Sequence, residues 1–251
     1  MGYVRQGLGI THVLKKLDSL ISSIDKNHER STLKLFQDLE ILPGSEYARV
    51  AIPLDYLPSR DYSPRWGYSR PKIASLSDWF QEYENDYSEF LAMMFDQETA
   101  TIAIDYNPKN PTTPAFVGGA ICAFDLLAIY TMLSLKQPKI YCEIGSGMTT
   151  LFARQAILDS SYNTKIISID PEPRQYVDDL CDQVIRQPLE TIDPEWFDQL
   201  ERGDILFIDG SHRSFMNSDV TVFFVDILAR IKPGVIIHIH DITLPYDYPD
   251  S

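Results

Sequence analysis

The pattern of apolar and polar residues changes near residue 118. From there on, short apolar runs such as KIISID and DILFID alternate with segments whose apolar residues recur at helical spacing. This pattern predicts strands that are buried on both faces and helices that cover them, as in a parallel sheet. The predicted helices are 119–136, 148–159, 173–182, 194–201 and 214–231, and the predicted strands are 139–144, 165–170, 183–187, 204–209 and 234–240. The fold class is therefore α/β, with a doubly wound and mostly parallel sheet.

The N-terminal part has a mainly helical pattern. Apolar residues recur every three or four positions after Thr11, and a shorter helix is predicted after Ser31. From Ser77 to about residue 95, aromatic residues share one face of a predicted helix, and we expect that face to be core. Residues 52–72 contain four prolines, which exclude regular structure there, and 100–106 alternates like a strand.

Two regions are therefore expected, an N-terminal helical and loop extension at 1–115 and a Rossmann-like core at 116–251. Within the extension, the segment RDYSPRWGYSRP, 60–71, mixes tyrosine, tryptophan and arginine. It is either an ordered surface loop or a lid over a polyhydroxylated or anionic substrate.

The amino-acid composition limits the kinds of partner that the chain is expected to bind. With 44% apolar and 23% charged residues, the chain has the balance of a soluble globular protein. A formal net charge of −14 argues against nucleic acid or membrane as a partner, because both need clustered Lys and Arg. The apolar stretch 117–135 has Asp125 at its centre, which favours a buried helix over a membrane span. Three cysteines without metal spacing, and no signal-like apolar core in 1–25, predict a cytoplasmic protein.

Chemically active side chains follow the predicted strands. Ligands of a doubly wound sheet bind outside the carboxyl ends of the strands, so the residues at those ends are the candidates. Acidic residues close four strands and histidines stand beside two of these; the set is Glu143, Asp170, Asp209, Asp241, His212 and His240. Any one of them could be an ordinary strand cap, but all of them on one edge of the sheet indicate a site.

A glycine-rich turn follows the first strand. Gly145 and Gly147 would let a ligand approach the backbone, and the next helix offers its N–H groups and its positive dipole end. Asp170 lies 23 residues beyond Gly147, where a carboxylate can accept the hydroxyls of a ribose. Thr150 stands where a dinucleotide fingerprint has its third glycine, which weakens a nicotinamide interpretation.

Four motifs in order carry a family resemblance. E-I-G-S-G-x-T-T, I-S-I-D-P, D-I-L-F-I-D-G-S-H and P-G-V-I-I-H-I-H-D together resemble a class I S-adenosylmethionine-dependent methyltransferase over about residues 118–248. The likeness is greatest to the branch of small-molecule and sugar O-methyltransferases. Methyltransferase sheets ordinarily have two further strands after the fifth. The sequence shows no counterpart of these, so we expect either a trimmed sequence or a sheet edge covered by another chain, as in a homo-oligomer.

The resemblance implies roles for particular residues. The amino-acid part of the cofactor would be held by Glu143, Gly145, Ser146 and Gly147. Asp170 would bind the ribose hydroxyls, Glu190 would lie near the adenine, and Asp209 would sit beneath the sulfonium and face the substrate.

Two ways of activating the acceptor stay open. His212 could remove the acceptor's proton as a general base. Some relatives instead, or in addition, use a divalent cation such as Mg²⁺ on carboxylates that match Asp209 and Asp241. His240 suits Mg²⁺ less well than an acidic or amide residue would. His238, deeper in its strand, is expected to be a core histidine.

The expected function is S-adenosylmethionine-dependent methyl transfer to a hydroxyl of a small molecule, with a glycoside among the candidate acceptors. An N-methyltransferase on the same fold is the alternative within enzymes. A cofactor-binding module without catalysis is the alternative outside them.

Overall fold

The structure, a computed structural model, describes residues 63–97, 104, 110, 112–116 and 121–249. The helices predicted after Thr11 and Ser31 lie outside these residues, as do 52–62 and, apart from Ile104, the strand predicted at 100–106. The division of the chain at residue 115 stays a prediction.

Five parallel strands form the sheet. They are β1 Ile140–Ile144, β2 Lys165–Ile169, β3 Gln183–Ile185, β4 Ile205–Ile208 and β5 Ile236–Ile239, and their order is β3-β2-β1-β4-β5. Cys142 at the centre pairs with Ile167 on one side and Leu206 on the other. The α/β class and the doubly wound parallel sheet are confirmed. Within the described part of the chain, β5 is an edge strand.

The apolar strands supply two cores at once. Successive side chains of a strand point to opposite faces, so each uninterrupted apolar run feeds both layers. Tyr141, Ile166 and Phe207 pack into one core, whereas the next or preceding residues Cys142, Ile167 and Leu206 pack into the other. The carboxyl edge of the sheet is thereby fixed from both faces.

The helices around the sheet are fewer than the pattern predicts. They are α1 Ala74–Glu82, α2 Glu84–Asp96, α3 Ala123–Lys136, α4 Met148–Ser160 and α5 Asp219–Val222, which continues as a π-turn at Phe223–Ile227 and a 3₁₀-turn at Leu228–Arg230. Helices α3 and α4 contribute Leu126, Leu133, Leu151 and Phe152 to the same core. No helix in the described ranges is long and apolar enough to cross a membrane.

Two predicted helices are wrong. Residues 173–182 contain only a 3₁₀-turn, Asp178–Leu180. Arg186 fixes this segment by donating hydrogen bonds to the Asp170 carbonyl and the Asp178 carboxylate. The helix predicted at 194–201 is the 3₁₀-helix Pro194–Gln199.

The aromatic helix predicted from Ser77 also differs. It is two helices divided at Tyr83, and Met94 is the buried residue in them. Trp79 is 51% exposed and Phe95 is 64% exposed, so the expected core face is largely surface.

Candidate active site at the carboxyl edge of the sheet

The two glycines of the turn after β1 stand in different surroundings. Gly145 has φ +82°, and a Cβ atom there would lie 1.9 Å from the Asp209 carbonyl oxygen. Gly145 is therefore required by its packing against the end of β4, and its expected contact with the cofactor stays a prediction. A Cβ atom at Gly147 would meet nothing within 4 Å. The open space lies at Gly147, beside the N-terminus of α4.

Asp170 joins the first two strand ends. Its Oδ2 accepts the Ser146 N–H at 2.8 Å, and its Oδ1 accepts the Glu172 N–H at 2.8 Å. The Ser146 hydroxyl in turn lies 2.8 Å from the Ser168 hydroxyl. Each carboxylate oxygen keeps a second lone pair for a ligand hydroxyl. The predicted ribose residue thus also fixes the glycine turn.

Glu143 lies beneath the turn and is fully buried. The Thr150 hydroxyl donates to it, and the Tyr141 hydroxyl donates at 3.2 Å. Burial raises the pKa of Glu143 to about 7, against the opposing effect of hydrogen bonds from Thr149, Thr150 and Tyr141. Its expected contact with the cofactor stays a prediction.

Thr150 has a role that the sequence did not reveal. Besides bonding Glu143, its hydroxyl oxygen accepts the Gly147 N–H at 3.1 Å. Thr150, which stands in place of a third glycine, therefore links the glycine turn to the buried carboxylate of Glu143 through two hydrogen bonds. A threonine three positions after the helix cap was the available signal.

Glu190 is exposed on the 3₁₀-turn Leu189–Thr191, which follows β3. Its proposed position near the adenine stays a prediction.

The ends of β4 and β5 bring four side chains together. One ligand atom each from Asp209, His212, His240 and Asp241 lies within 4.8 Å of the others. His212 Nε2 is 3.0 Å from Asp209 Oδ1 and 3.5 Å from Asp241 Oδ2. His240 Nδ1 is 3.4 Å from both Asp209 Oδ1 and Asp241 Oδ1. Asp209, His212 and Asp241, which were predicted to lie at one edge of the sheet, thus form one cluster with His240.

The backbone of this cluster is strained at two positions. His212 and Asp241 both have φ +57°, in the left-handed region that non-glycine residues rarely occupy. Such strain persists where the surroundings hold it, and it is concentrated at functional sites.

Charges in the cluster perturb one another. Burial alone would raise the pKa of Asp209, but His240 and His212 lower it below its ordinary value. Contact with Asp209 raises the pKa of His240 to about 9 despite partial burial, and Asp125 and Asp241 add to this. His240 Nδ1 and Asp209 Oδ1 lie 3.4 Å apart without hydrogen-bond geometry.

Two aspartates outside the strand ends support the cluster. Asp125, in the first turn of α3, places Oδ2 3.3 Å from His240 Nε2. Asp219, at the start of α5, accepts the Ser211 N–H at 2.6 Å and the Ser211 hydroxyl. In the sequence, Asp125 was notable only as a charge in an apolar stretch. His238 agrees with its core assignment, because burial lowers its pKa and its ring packs edge-on against Phe207.

The predicted lid segment is described from Ser63 onward. Arg65 binds Asp247 through its backbone N–H at 2.7 Å and its Nε at 3.1 Å, and Tyr68 packs against Tyr246. Tyr248 donates its hydroxyl to the Asp241 carbonyl at 2.7 Å. The segment therefore contacts the stretch of chain that leaves β5 at the cluster.

A doubly wound sheet with a glycine turn, an open cradle and a strand-end carboxylate is typical of α/β domains that bind a nucleotide cofactor. More particularly, residues 142–242 match the family model described as a methyltransferase domain. The match runs from β1 through Asp241 and includes the whole cluster. These residues therefore resemble a methyltransferase domain, for which methyl transfer is the activity and S-adenosylmethionine is the implied methyl donor. A comparison with curated proteins and one with solved structures each found no match.

Proposed function

We propose that this chain transfers a methyl group from S-adenosylmethionine to a hydroxyl oxygen of a small molecule, with His212 as general base. The observation that carries the proposal is the 3.0 Å contact between His212 Nε2 and Asp209 Oδ1. In the tautomer that donates from Nε2 to the carboxylate, the Nδ1 lone pair is the one that can take a proton. Asp209 also stabilises the imidazolium that results.

The residues around the open cradle fit the cofactor. The space beside Gly147 and the N-terminus of α4 suit the amino-acid part, and the spare lone pairs of Asp170 suit ribose hydroxyls. When bound, S-adenosylmethionine supplies an electrophilic methyl group. The protein's own task is to align the acceptor oxygen and remove its proton.

Oxygen is favoured over nitrogen as the acceptor atom. A neutral amine can attack without first losing a proton, whereas a hydroxyl benefits from a base in the transition state. An aspartate-oriented histidine at the strand ends supplies such a base. The same pair argues against a binding module without catalysis, for which an oriented base has no use.

The acceptor is proposed to be small and rich in hydroxyl groups, with a glycoside as one candidate. The formal charge of −14 argues against nucleic acid and anionic membrane surfaces. Arginine and aromatic side chains of the segment after Ser63 stand beside the chain that leaves β5. Cytoplasmic location fits the three free cysteines, and a homo-oligomer fits the edge position of β5. Both stay predictions.

The test is transfer of a labelled methyl group to a panel of hydroxyl and amine acceptors. We expect His212→Ala to lower turnover by about 10²–10⁴-fold, while the affinity for S-adenosylhomocysteine, measured by calorimetry, is unchanged. Arg213→Ala, an exposed neighbour in the same loop, is the matched control. Methylation of amines alone would favour the N-methyltransferase alternative. Cofactor binding without turnover of any acceptor would favour the non-catalytic module.

A further inference from the structure

His240 presents a buried nitrogen atom with no hydrogen-bond partner. Its side chain is 9% exposed, and Nδ1 makes no hydrogen bond. This atom lies 3.4 Å from an oxygen of Asp209 and 3.4 Å from an oxygen of Asp241. A buried polar atom normally has a partner, so its position between two carboxylates needs an explanation.

Asp125 determines which nitrogen of His240 faces the cluster. Its Oδ2 lies 3.3 Å from Nε2, on the far side of the ring. In the neutral ring, which is the form that binds a metal, a proton on Nε2 donated to Asp125 leaves the lone pair on Nδ1. Metal-binding histidines almost always donate their second nitrogen to a carboxylate or carbonyl in this way, which fixes the tautomer and the ring orientation.

We propose that His240 Nδ1, Asp209 and Asp241 form a binding site for a divalent transition metal, such as Mn²⁺, Fe²⁺ or Co²⁺, and that the site discriminates against Mg²⁺. Neighbouring ligand atoms around one ion with bonds of about 2.0–2.2 Å lie roughly 3–3.6 Å apart, which the two 3.4 Å separations match. Three protein ligands leave positions open for an acceptor oxygen.

The donor set decides the metal. Mg²⁺ is a hard ion that takes oxygen ligands and keeps its waters, so replacing a carboxylate by imidazole weakens its binding. Transition ions accept imidazole nitrogen readily, in the order Mn²⁺ < Fe²⁺ < Co²⁺. The Mg²⁺ site expected on Asp209 and Asp241 therefore does not fit the nitrogen that lies between them. His212 stays outside the ligand set because its Nε2 is hydrogen-bonded to Asp209.

Any use of this metal in catalysis rests on the proposed methyl transfer, but metal binding itself is measured without it. The probe is the chloride salt of each ion, titrated into the tag-free full chain after chelator treatment and followed by calorimetry. We expect binding of one Mn²⁺ or Co²⁺ per chain, at least about tenfold tighter than Mg²⁺. The visible spectrum of bound Co²⁺ reports nitrogen coordination.

Variants locate the site and its selectivity. Asp125→Asn should weaken Co²⁺ binding by about 10–100-fold, because it removes the carboxylate that fixes the orientation and tautomer of His240. His240→Asp should weaken Co²⁺ and strengthen Mg²⁺ binding, reversing the preference. His238→Asn, two residues earlier on β5, should change neither affinity. Circular dichroism of each variant checks folding, and Asp125→Asn leaves all three ligands in place.

Three results would overturn the proposal. They are Mg²⁺ binding as tightly as Mn²⁺ and Co²⁺, no divalent ion binding at all, or a folded His240→Asp or Asp125→Asn variant with unchanged Co²⁺ affinity. The cluster would then be an ion pair of histidines and aspartates. A chain that binds Co²⁺ as described yet methylates nothing would leave the metal site standing and remove the proposed function.

Discussion

Gly145 and Gly147 are two residues apart, yet they respond to different neighbours. Gly145 has positive φ and faces the backbone of Asp209, whereas Gly147 faces open space. A side chain at Gly145 should therefore lower the stability of the protein, whereas one at Gly147 should weaken cofactor binding.

The matched pair Gly145→Ala and Gly147→Ala tests this difference. Gly145→Ala should lower the free energy of unfolding by at least about 1–3 kcal/mol without any ligand, from backbone strain before the clash is added. Gly147→Ala should keep its stability but bind S-adenosylhomocysteine at least about tenfold more weakly, since a methyl group enters the cradle. Urea unfolding and calorimetry provide the two measurements. Equal stability losses in both variants, or unchanged affinity in Gly147→Ala, would contradict this assignment.

At the same scale, the sequence identified the residues that end strands but not those that support them. Asp209 and Asp241 could be placed together because the ends of parallel strands meet at one edge of the sheet. Asp125 precedes His240 by 115 positions and reaches it from a helix. The rotation and approach of that helix depend on packing against the sheet, which no local pattern encodes.

Among the elements, the start of α5 bears most directly on the site. Apolar spacing predicted a helix from 214, but the Ser218 hydroxyl accepts the Thr221 N–H at 3.1 Å and begins the helix at Asp219. The residues before Ser218 form a loop, and Asp219 holds that loop at Ser211. The late start of the helix thus helps to place His212.

Removing the hydrogen bonds between Asp219 and Ser211 should misplace the proposed base, His212, without changing the cofactor site. We expect Asp219→Ala to lower turnover by at least about tenfold, because small misplacements of a catalytic group are costly, while affinity for S-adenosylhomocysteine holds. Asp226→Ala, an exposed residue further along the same helical segment, is the control. Initial rates and calorimetry on both variants provide the comparison. If turnover in Asp219→Ala equals that of the control, Asp219 does not position the loop.

Strands were predicted more accurately than helices, for a physical reason. A strand buried on both faces is a nearly continuous apolar run, so its ends are sharp in the sequence: 165–170 is observed as Lys165–Ile169. Before β3, the segment 173–182 forms only a 3₁₀-turn, and Arg186 holds it by bonds to the Asp170 carbonyl and the Asp178 carboxylate. Spacing alone cannot detect such competing contacts.

For the molecule as a whole, the buried Glu143 predicts how stability depends on pH. Its pKa rises from 4.5 in the unfolded chain to about 7 in the folded one. The folded state therefore binds the proton more tightly, so this contribution is fully present below pH 4.5 and is lost as the pH rises through 7. His240, raised from 6.5 to about 9, acts in the same direction but mainly above pH 6.5. Between pH 4.5 and 6.5, His238 acts in the opposite direction, because burial lowers its pKa below 6.5. A comparison with a Glu143 variant therefore isolates Glu143 in this window.

In that window we expect Glu143 to lower the free energy of unfolding of the ligand-free chain by roughly 2 kcal/mol as the pH rises. Aspartates whose pKa is depressed, such as Asp209, lose their stabilising effect only at lower pH. Glu143→Gln mimics the protonated side chain and keeps the contribution of His238, so the difference in free energy of unfolding between the two proteins should change by that amount from pH 4.5 to 6.5. Urea unfolding in chelator at several pH values measures both slopes. Parallel slopes in the two proteins would show that Glu143 is already ionised in the folded chain, and its burial beneath the glycine turn would then need another compensating charge.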